Sequence, residues 1–331
     1  MQDRIQGYLP SKQRRRIFNC TQINSYLRRE VKEFHKRSSA GFVRNSSYKP
    51  AEQYLSEPPV ISESYHSKMK VRDSICLITC GMNDMGMAIC QDLLKNGATH
   101  VCVMDYPCSK AEETKFLSQC GKEHTTFLPC DMTKETEIEA CFKKMIDTHK
   151  CLDIVINTCG TWDEKNWEKC LAVNMGCVIR SCLIAMRFMS KEQLGKGGCI
   201  VNVSSMTGLQ LLACAPIFSA THCGLIGFGR CLGQSCHVDK TGVAVMTICP
   251  GISEKKISEY SEKLLSFVEP KFAVNEMTSY PHQRVEDVSH GILWMIKNCE
   301  SGCVCVTENE EPLCKIKFLE CSEMKEGLNF K

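Results

Sequence analysis

The chain has 331 residues, of which 43% are hydrophobic and 24% charged, with a formal net charge of +3. Those proportions suit a soluble globular protein and exclude a fibrous, collagen-like or wholly disordered one. No unbroken run of 18 apolar residues is visible and the N-terminus lacks the short apolar stretch of a secretory signal, so a cytoplasmic protein with no membrane span is expected.

Residues 1–70 carry 14 Lys+Arg against 6 Asp+Glu, a net +8, and the remaining 27 Lys+Arg and 32 Asp+Glu leave −5 on residues 71–331. Arg14, Arg15, Arg16, Arg28, Arg29 and Arg44 lie among Ser, Asn and Gln, with Pro50, Pro58 and Pro59 further on. With little apolar periodicity, this composition reads as a basic, disordered extension. A mitochondrial presequence is also Arg- and Ser-rich, although Asp3, Glu30 and Glu33 run against it. No nucleic-acid-binding motif accompanies the charge.

From Ser74 onward, short apolar runs alternate with amphipathic ones. Ile75–Thr79 is followed by a helical stretch near 86–96 and then by Val101–Asp105, a βαβ unit. The alternation continues through Thr126–Asp131, a helix near 134–149, Leu152–Asn157, a helix near 166–189, and Gly198–Ser204. A helix near 216–236, Val243–Cys249, a helix near 285–298 and Gly302–Thr307 complete it. Seven strands alternating with helices predict one α/β domain over 71–320, a doubly wound, parallel seven-stranded Rossmann sheet, with a tail over 321–331. The 25 cysteines are scattered through these elements and are expected to be reduced, buried thiols. Cys303 and Cys305 lie in an alternating strand without a second pair at ligand spacing, so no metal site is expected.

In an open parallel sheet, ligands bind beyond the carboxyl ends of the strands. The first strand is followed by Thr79-Cys-Gly-Met-Asn-Asp-Met-Gly86, a turn opening a helix, and the second ends at Asp105. A carboxylate there accepts hydrogen bonds from an adenosine ribose and repels a 2′-phosphate, which favours NAD over NADP.

These features, with Asn157-Thr-Cys-Gly160, Val201-Asn-Val-Ser-Ser-Met-Thr-Gly208 and Pro216-Ile-Phe-Ser-Ala-Thr-His-Cys-Gly224, resemble the short-chain dehydrogenase/reductase family. Within it, the NAD-dependent 15-hydroxyprostaglandin dehydrogenase and insect alcohol dehydrogenase branches are the most similar, from about Ser74 to about residue 320. The resemblance implies that Asn157 to Gly160 supports the sheet beside the cofactor and that Asp131 meets the adenine. It also implies that Asn174 is the catalytic-helix asparagine, that Ser205 positions the substrate oxygen and that Pro250-Gly251 faces the nicotinamide. Dimerisation through the 166–189 and 216–236 helices, with a copy of itself or another family member, is implied as well.

The departures from the family decide the functional expectation. Its glycine-rich turn aligns here as Cys80, Asp84 and Gly86, so only the third glycine remains, and shifting the register to Gly81 leaves Met85 at the second position. Asp84 puts a carboxylate where phosphate oxygens would lie and is itself suited to cap the helix N–H groups. The family's catalytic tyrosine, and the lysine four residues later, align with Phe218 and His222. Phe218 has no proton to exchange, and positioned acid–base catalysis is typically worth about 10² to 10⁴ in rate. For His222 three readings stay open: an exposed or capping histidine, a contact to the cofactor ribose, or a base acting through a water. The threonine after the Pro-Gly turn is Lys255, with Ser253 nearby, and Ala215 replaces a substrate-contacting glutamine of the prostaglandin branch. Ser205, Asn174 and Asp105 also have plain structural readings, as a local cap, a helix asparagine and a turn residue. Trp162 and Trp167 read as packing more than recognition. The expectation is a family member with little or no dehydrogenase activity and weak or lost NAD binding, acting through a ligand or a partner. The rival is a working NAD-dependent oxidoreductase on a secondary alcohol or ketone.

Overall fold

A computed structural model describes residues 69–193, 195–252, 263–320 and 322–325. All but the last two residues of the basic segment expected over 1–70, and most of the C-terminal tail, lie outside them.

Apolar runs too short for helices become strands, and the longer amphipathic runs cover them. The first half comprises β1 (Ile75–Thr79), α1 (Asp84–Lys95), β2 (His100–Asp105), α2 (Lys110–Cys120), β3 (Thr125–Pro129), α3 (Glu135–His149) and β4 (Ile154–Asn157). The second comprises α4 (Trp167–Met189), β5 (Gly198–Val203), α5 (Pro216–Leu232), α6 (Ser235–Thr241), β6 (Val243–Pro250), α7 (Pro270–Ser279), α8 (Val285–Asn298), β7 (Val304–Thr307) and β8 (Cys314–Lys315). The strand order is β3-β2-β1-β4-β5-β6-β7-β8, parallel throughout except for β8. The doubly wound sheet is therefore as expected, and the count of seven strands gains an eighth, a two-residue antiparallel edge too short to leave a periodicity.

Helices α2 and α7 also escape the periodicity reading. The expected 216–236 helix is broken in two at Gly233, where a Cβ would lie 2.4 Å from the Gly302 backbone nitrogen. Helix α4 is one continuous 23-residue element, long and apolar enough by composition to cross a membrane, with a mean hydropathy of 1.5. It reaches this threshold on average hydropathy, while Arg180 and Arg187 interrupt its apolar run. In the fold, α4 packs one face on the sheet through Cys177, Val178, Cys182, Ala185 and Met189.

Three apolar clusters fill the domain. One lies on the face covered by α1, α2 and α8, with Ile89, Leu93, Phe116 and Ile292. A second lies on the opposite face under α3, α4 and α5, with Phe142, Met145, Val178 and Leu225. The third, with Trp162, Leu212, Ile252, Met277 and Tyr280, joins the connections beyond β4, β5 and β6 to α7 and β7. It occupies the end of the sheet at which a parallel α/β fold builds its ligand site.

Candidate functional site

The site begins at the switch point between β1 and β4, adjacent parallel strands whose connections leave on opposite sides. Thr79 and Asn157 are partners across this pair, and Asn157 and Asn202 across the next. Thr79 Oγ1 donates to Asn157 Oδ1 at 3.0 Å, and Asn157 Nδ2 donates to Asn202 Oδ1 at 2.9 Å. All three side chains are buried. Asn157 therefore supports the sheet, joining three strands where a crevice between them would open.

The turn after β1 is closed by its own groups. Cys80 adopts a left-handed backbone, φ 53°, which glycine enters freely and other residues at a cost of about 1–3 kcal/mol. Its sulfur is bonded to Cys159, with the Cα atoms 4.9 Å apart, which corrects the expectation that every thiol is reduced. The β1–β4 register sets the two cysteines side by side although 79 positions separate them in the chain. A Cβ on Gly86 would lie 2.2 Å from the Gly81 carbonyl oxygen, so this glycine is required by a close crossing of the turn's own backbone. The helix cap is Asn83, whose Oδ1 accepts from Gly86 N at 3.0 Å, and not Asp84, which is the first helical residue. Asp105 Oδ2 accepts from Met82 N at 2.8 Å and Oδ1 from Tyr106 N at 2.7 Å. Each oxygen retains a lone pair for a ribose hydroxyl, so this position still fits an adenosine. The phosphate turn fits a pyrophosphate poorly, because Met82 N and Gly86 N are engaged internally and Asp84 adds negative charge beside them.

Asp131, expected at the adenine, is held locally. Its Oδ1 accepts from Thr133 N and Oγ1, its Oδ2 lies 3.3 Å from Lys134 Nζ, and these contacts hold the carboxyl below its usual range. Gly160 is exposed, with open space where a Cβ would project. At the end of β6, Gly251 N donates to Thr307 O, and Ile252 N donates to Pro281 O. A Cβ on Gly251 would lie 2.6 Å from that Pro281 oxygen, so the Pro250-Gly251 turn is backed by residues 281–283. Ser253 and Lys255 lie outside the described residues. An open groove of about 900 Å³ runs between α1 and α8 and includes Asp84, but none of Asn174, Ser205, Phe218 or His222 lines it.

The expected proton-transfer position is an aromatic stack. The ring centroids of Phe218 and Trp162 are 4.7 Å apart, and those of Phe218 and His222 are 4.3 Å apart, edge to face. His222 is 3% exposed, which corrects the reading of an exposed or capping histidine. Its Nδ1 lies 3.3 Å from Ser204 Oγ, and Nε2 has no hydrogen-bond partner among the described residues. Burial pushes its pKa down to about 3, so the ring is neutral at physiological pH. Ser205 Oγ accepts from Thr207 N at 3.2 Å and lies 3.0 Å from Thr207 Oγ1, the local cap of a short 3₁₀ turn. Asn174 sits in a π-helical turn of α4, Leu171–Cys177. Its Oδ1 accepts from Thr161 N at 2.7 Å, and its Nδ2 donates to Thr161 O and to Thr221 Oγ1.

A sequence profile of the short chain dehydrogenase family matches residues 74–264. The chain belongs to that family. It is 32% identical to 15-hydroxyprostaglandin dehydrogenase [NAD(+)] of Homo sapiens over 217 residues, 64% of this chain and 81% of that enzyme. It is 27% identical to alcohol dehydrogenase 2 of Ceratitis cosyra over 237 residues, 71% of this chain and 91% of that enzyme. Among solved structures, NAD+-bound xylitol dehydrogenase superposes with a TM-score of 0.62 at 15% identity, over 72% of this chain and 99% of the other. Actinorhodin polyketide ketoreductase with NADPH gives 0.60 at 20% identity, over 71% and 95%. These two share the fold.

Within this family member, several residues that the sequence reading passed over shape the site. Glu164, fully buried beyond β4, caps α5: its carboxylate accepts from Ile217 N at 3.0 Å and Phe218 N at 2.8 Å, just after Pro216. Burial raises its pKa and those two N–H groups oppose the rise. Glu276 of α7 accepts in the same way from Ala213 N and Cys214 N, both at 2.8 Å. The Tyr280 hydroxyl donates to Gln210 O, and burial raises its pKa. Two carboxylates and one phenol thus hold the segment leading into Phe218, while Ser204, rather than Ser205, approaches the imidazole.

Proposed function

We propose that this short-chain dehydrogenase homologue lacks, or nearly lacks, the dehydrogenase activity of its relatives and acts by binding a ligand or a partner. Phe218 carries the proposal: a ring without an ionisable proton, packed between Trp162 and a buried neutral His222, occupies the tyrosine position. Alcohol oxidation with a nicotinamide needs a group to take the hydroxyl proton, and neither ring accepts one readily at neutral pH.

NAD binding is weak or lost in this reading. The internally bonded turn and Asp84 support that, while Asp105 retains capacity for a ribose. When bound, the cofactor would accept hydride; this chain's own residues would hold the adenosine at Asp105 and supply no proton acceptor at 218. For a partner, the exposed Trp167, Leu171 and Leu183 on α4 offer an apolar surface suited to a second copy or a relative. A cytoplasmic location goes with this reading, with mitochondrial targeting by the basic extension as its alternative.

The test is NADH formation by the full chain with NAD and a panel of secondary alcohols, including hydroxyprostaglandins. Background rates are expected, and turnover resembling that of the prostaglandin dehydrogenases would refute the proposal. Calorimetry with NAD and NADH checks the cofactor separately, with micromolar affinity counting against weak binding.

A further inference from the structure

At the amino ends of the strands, away from this site, lies a cluster of metal-ligating side chains. His100 and Cys102 are two apart on β2 and therefore share one face. It is the face that packs on α3, since Cys102 clusters with Phe142 and Met145 of that helix. His149 is the last residue of α3, where the chain reverses through Lys150 in a left-handed conformation, φ 66°. The fold thereby brings a histidine from a helix end over a histidine and a cysteine from a strand. One ligand atom from each of the three lies within 4.8 Å of the other two, and the imidazole centroids are 4.4 Å apart.

We propose that His100, Cys102 and His149 form a zinc-binding site with a fourth position open to water. Two imidazoles and one thiolate are a common donor set for Zn²⁺, which takes nitrogen at about 2.0–2.1 Å and sulfur at about 2.3 Å in a tetrahedron. Those lengths place the ligand atoms about 3.3–3.6 Å apart, so the cluster closes by at most about 1.5 Å from its 4.8 Å limit to hold the ion. His100 is oriented from outside: its Nε2 lies 2.8 Å from Thr126 Oγ1 on the neighbouring strand, which leaves Nδ1 for a metal. Cys102 is buried, whereas both histidines are partly exposed, so an ion has a route in from solvent.

The ionisation states of the two imidazoles suit donors, whereas that of the thiol opposes binding. Burial, with His149 and His124 adding to it, pushes His100 down to about 4, and burial lowers His149, so both imidazoles are unprotonated at neutral pH. Burial pushes the Cys102 thiol up to about 12, with Cys90 raising it further and Lys144 opposing. Zinc would displace that proton, and binding should weaken as pH falls. The buried trio Cys299, Cys303 and Cys305 is also compact, but it offers thiols alone.

The full chain, stripped by chelator and reloaded with zinc chloride, should retain one more zinc per molecule than its His149→Ala or Cys102→Ser variants. Cobalt chloride should produce a thiolate-to-cobalt charge-transfer band that Cys102→Ser abolishes. Thr126→Val should weaken zinc affinity about 10- to 100-fold. Zinc should raise the melting temperature of the wild type and not that of His149→Ala. His149 sits at a partly exposed helix end, so its alanine variant is expected to fold and decides the matter if Cys102→Ser does not. Equal zinc content in the wild type and a folded His149→Ala would overturn the proposal. So would zinc lost in Cys303→Ser alone.

Discussion

The burial of His222 has a direct thermodynamic consequence. An unfolded chain protonates this imidazole near its ordinary value of 6.5, whereas the folded chain does so only near 3. Between those values the unfolded state binds the extra proton, so stability is full above pH 6.5 and declines as pH falls. Each pH unit in that window is worth about 1.4 kcal/mol, which puts the whole contribution at about 5 kcal/mol, comparable with the entire stability of a marginal domain, roughly 5–15 kcal/mol. Urea unfolding at pH 7, 6, 5 and 4, on wild type and His222→Gln, isolates the effect. His100 and His149 act in the same direction and cancel in the comparison. The wild type should lose about 1.4 kcal/mol per pH unit more than the variant between pH 6 and 4. Parallel pH profiles for the two proteins would show that the ring is solvated and that the site has been misread.

Other perturbations test neighbouring parts of the site. Phe218→Tyr alone should leave NADH production at background. Adding His222→Lys should lower stability by several kcal/mol, on the order of the 5 kcal/mol above, because an ammonium replaces a neutral ring in the same buried position; turnover by the single variant would contradict the first statement and a double variant of wild-type stability the second. Glu164→Ala strips two partly buried N–H groups of a charged acceptor and should cost about 2 kcal/mol after the relief of a buried charge is set against it. A urea-derived loss below about 1 kcal/mol would refute the capping role. Replacing Cys80 and Cys159 by serine opens a loop with a sequence separation of 79, worth at most about 4.5 kcal/mol by chain entropy. Without reductant, alkylation of the unfolded wild type should spare these two cysteines, and their full labelling would remove the bond.

The sheet was legible because its strands are short apolar runs, such as Ile75–Thr79 and Gly198–Val203, that cannot be read as anything else once helices flank them. Phe218 and His222 were singled out because the residues around them match the family's motif. The burial of His222 was not legible, since it depends on Ser204 and the Gly208 turn, which come against it from the chain beyond β5. Glu164 looks in sequence like its neighbour Glu168, and only the chain path decides which of them meets the α5 amides. Helix α2 did announce itself, through the Ser109–Glu112 capping box, but its weak apolar periodicity hid it. The Cys80–Cys159 pairing and the His100–Cys102–His149 cluster left no local trace, because strand order and a helix terminus create them.

The sulfur bond across β1 and β4 also bears on where the molecule can do its work. Covalent links between cysteines persist in oxidising surroundings and are removed by cytosolic reductants. In a reducing cell the two thiols would separate, and the left-handed turn at Cys80 would lose its covalent hold. In an oxidising one that seam stays sewn shut. Cellular address and the hold on this turn are then two faces of a single chemical variable, and trapping the thiols in living cells would read out both at once.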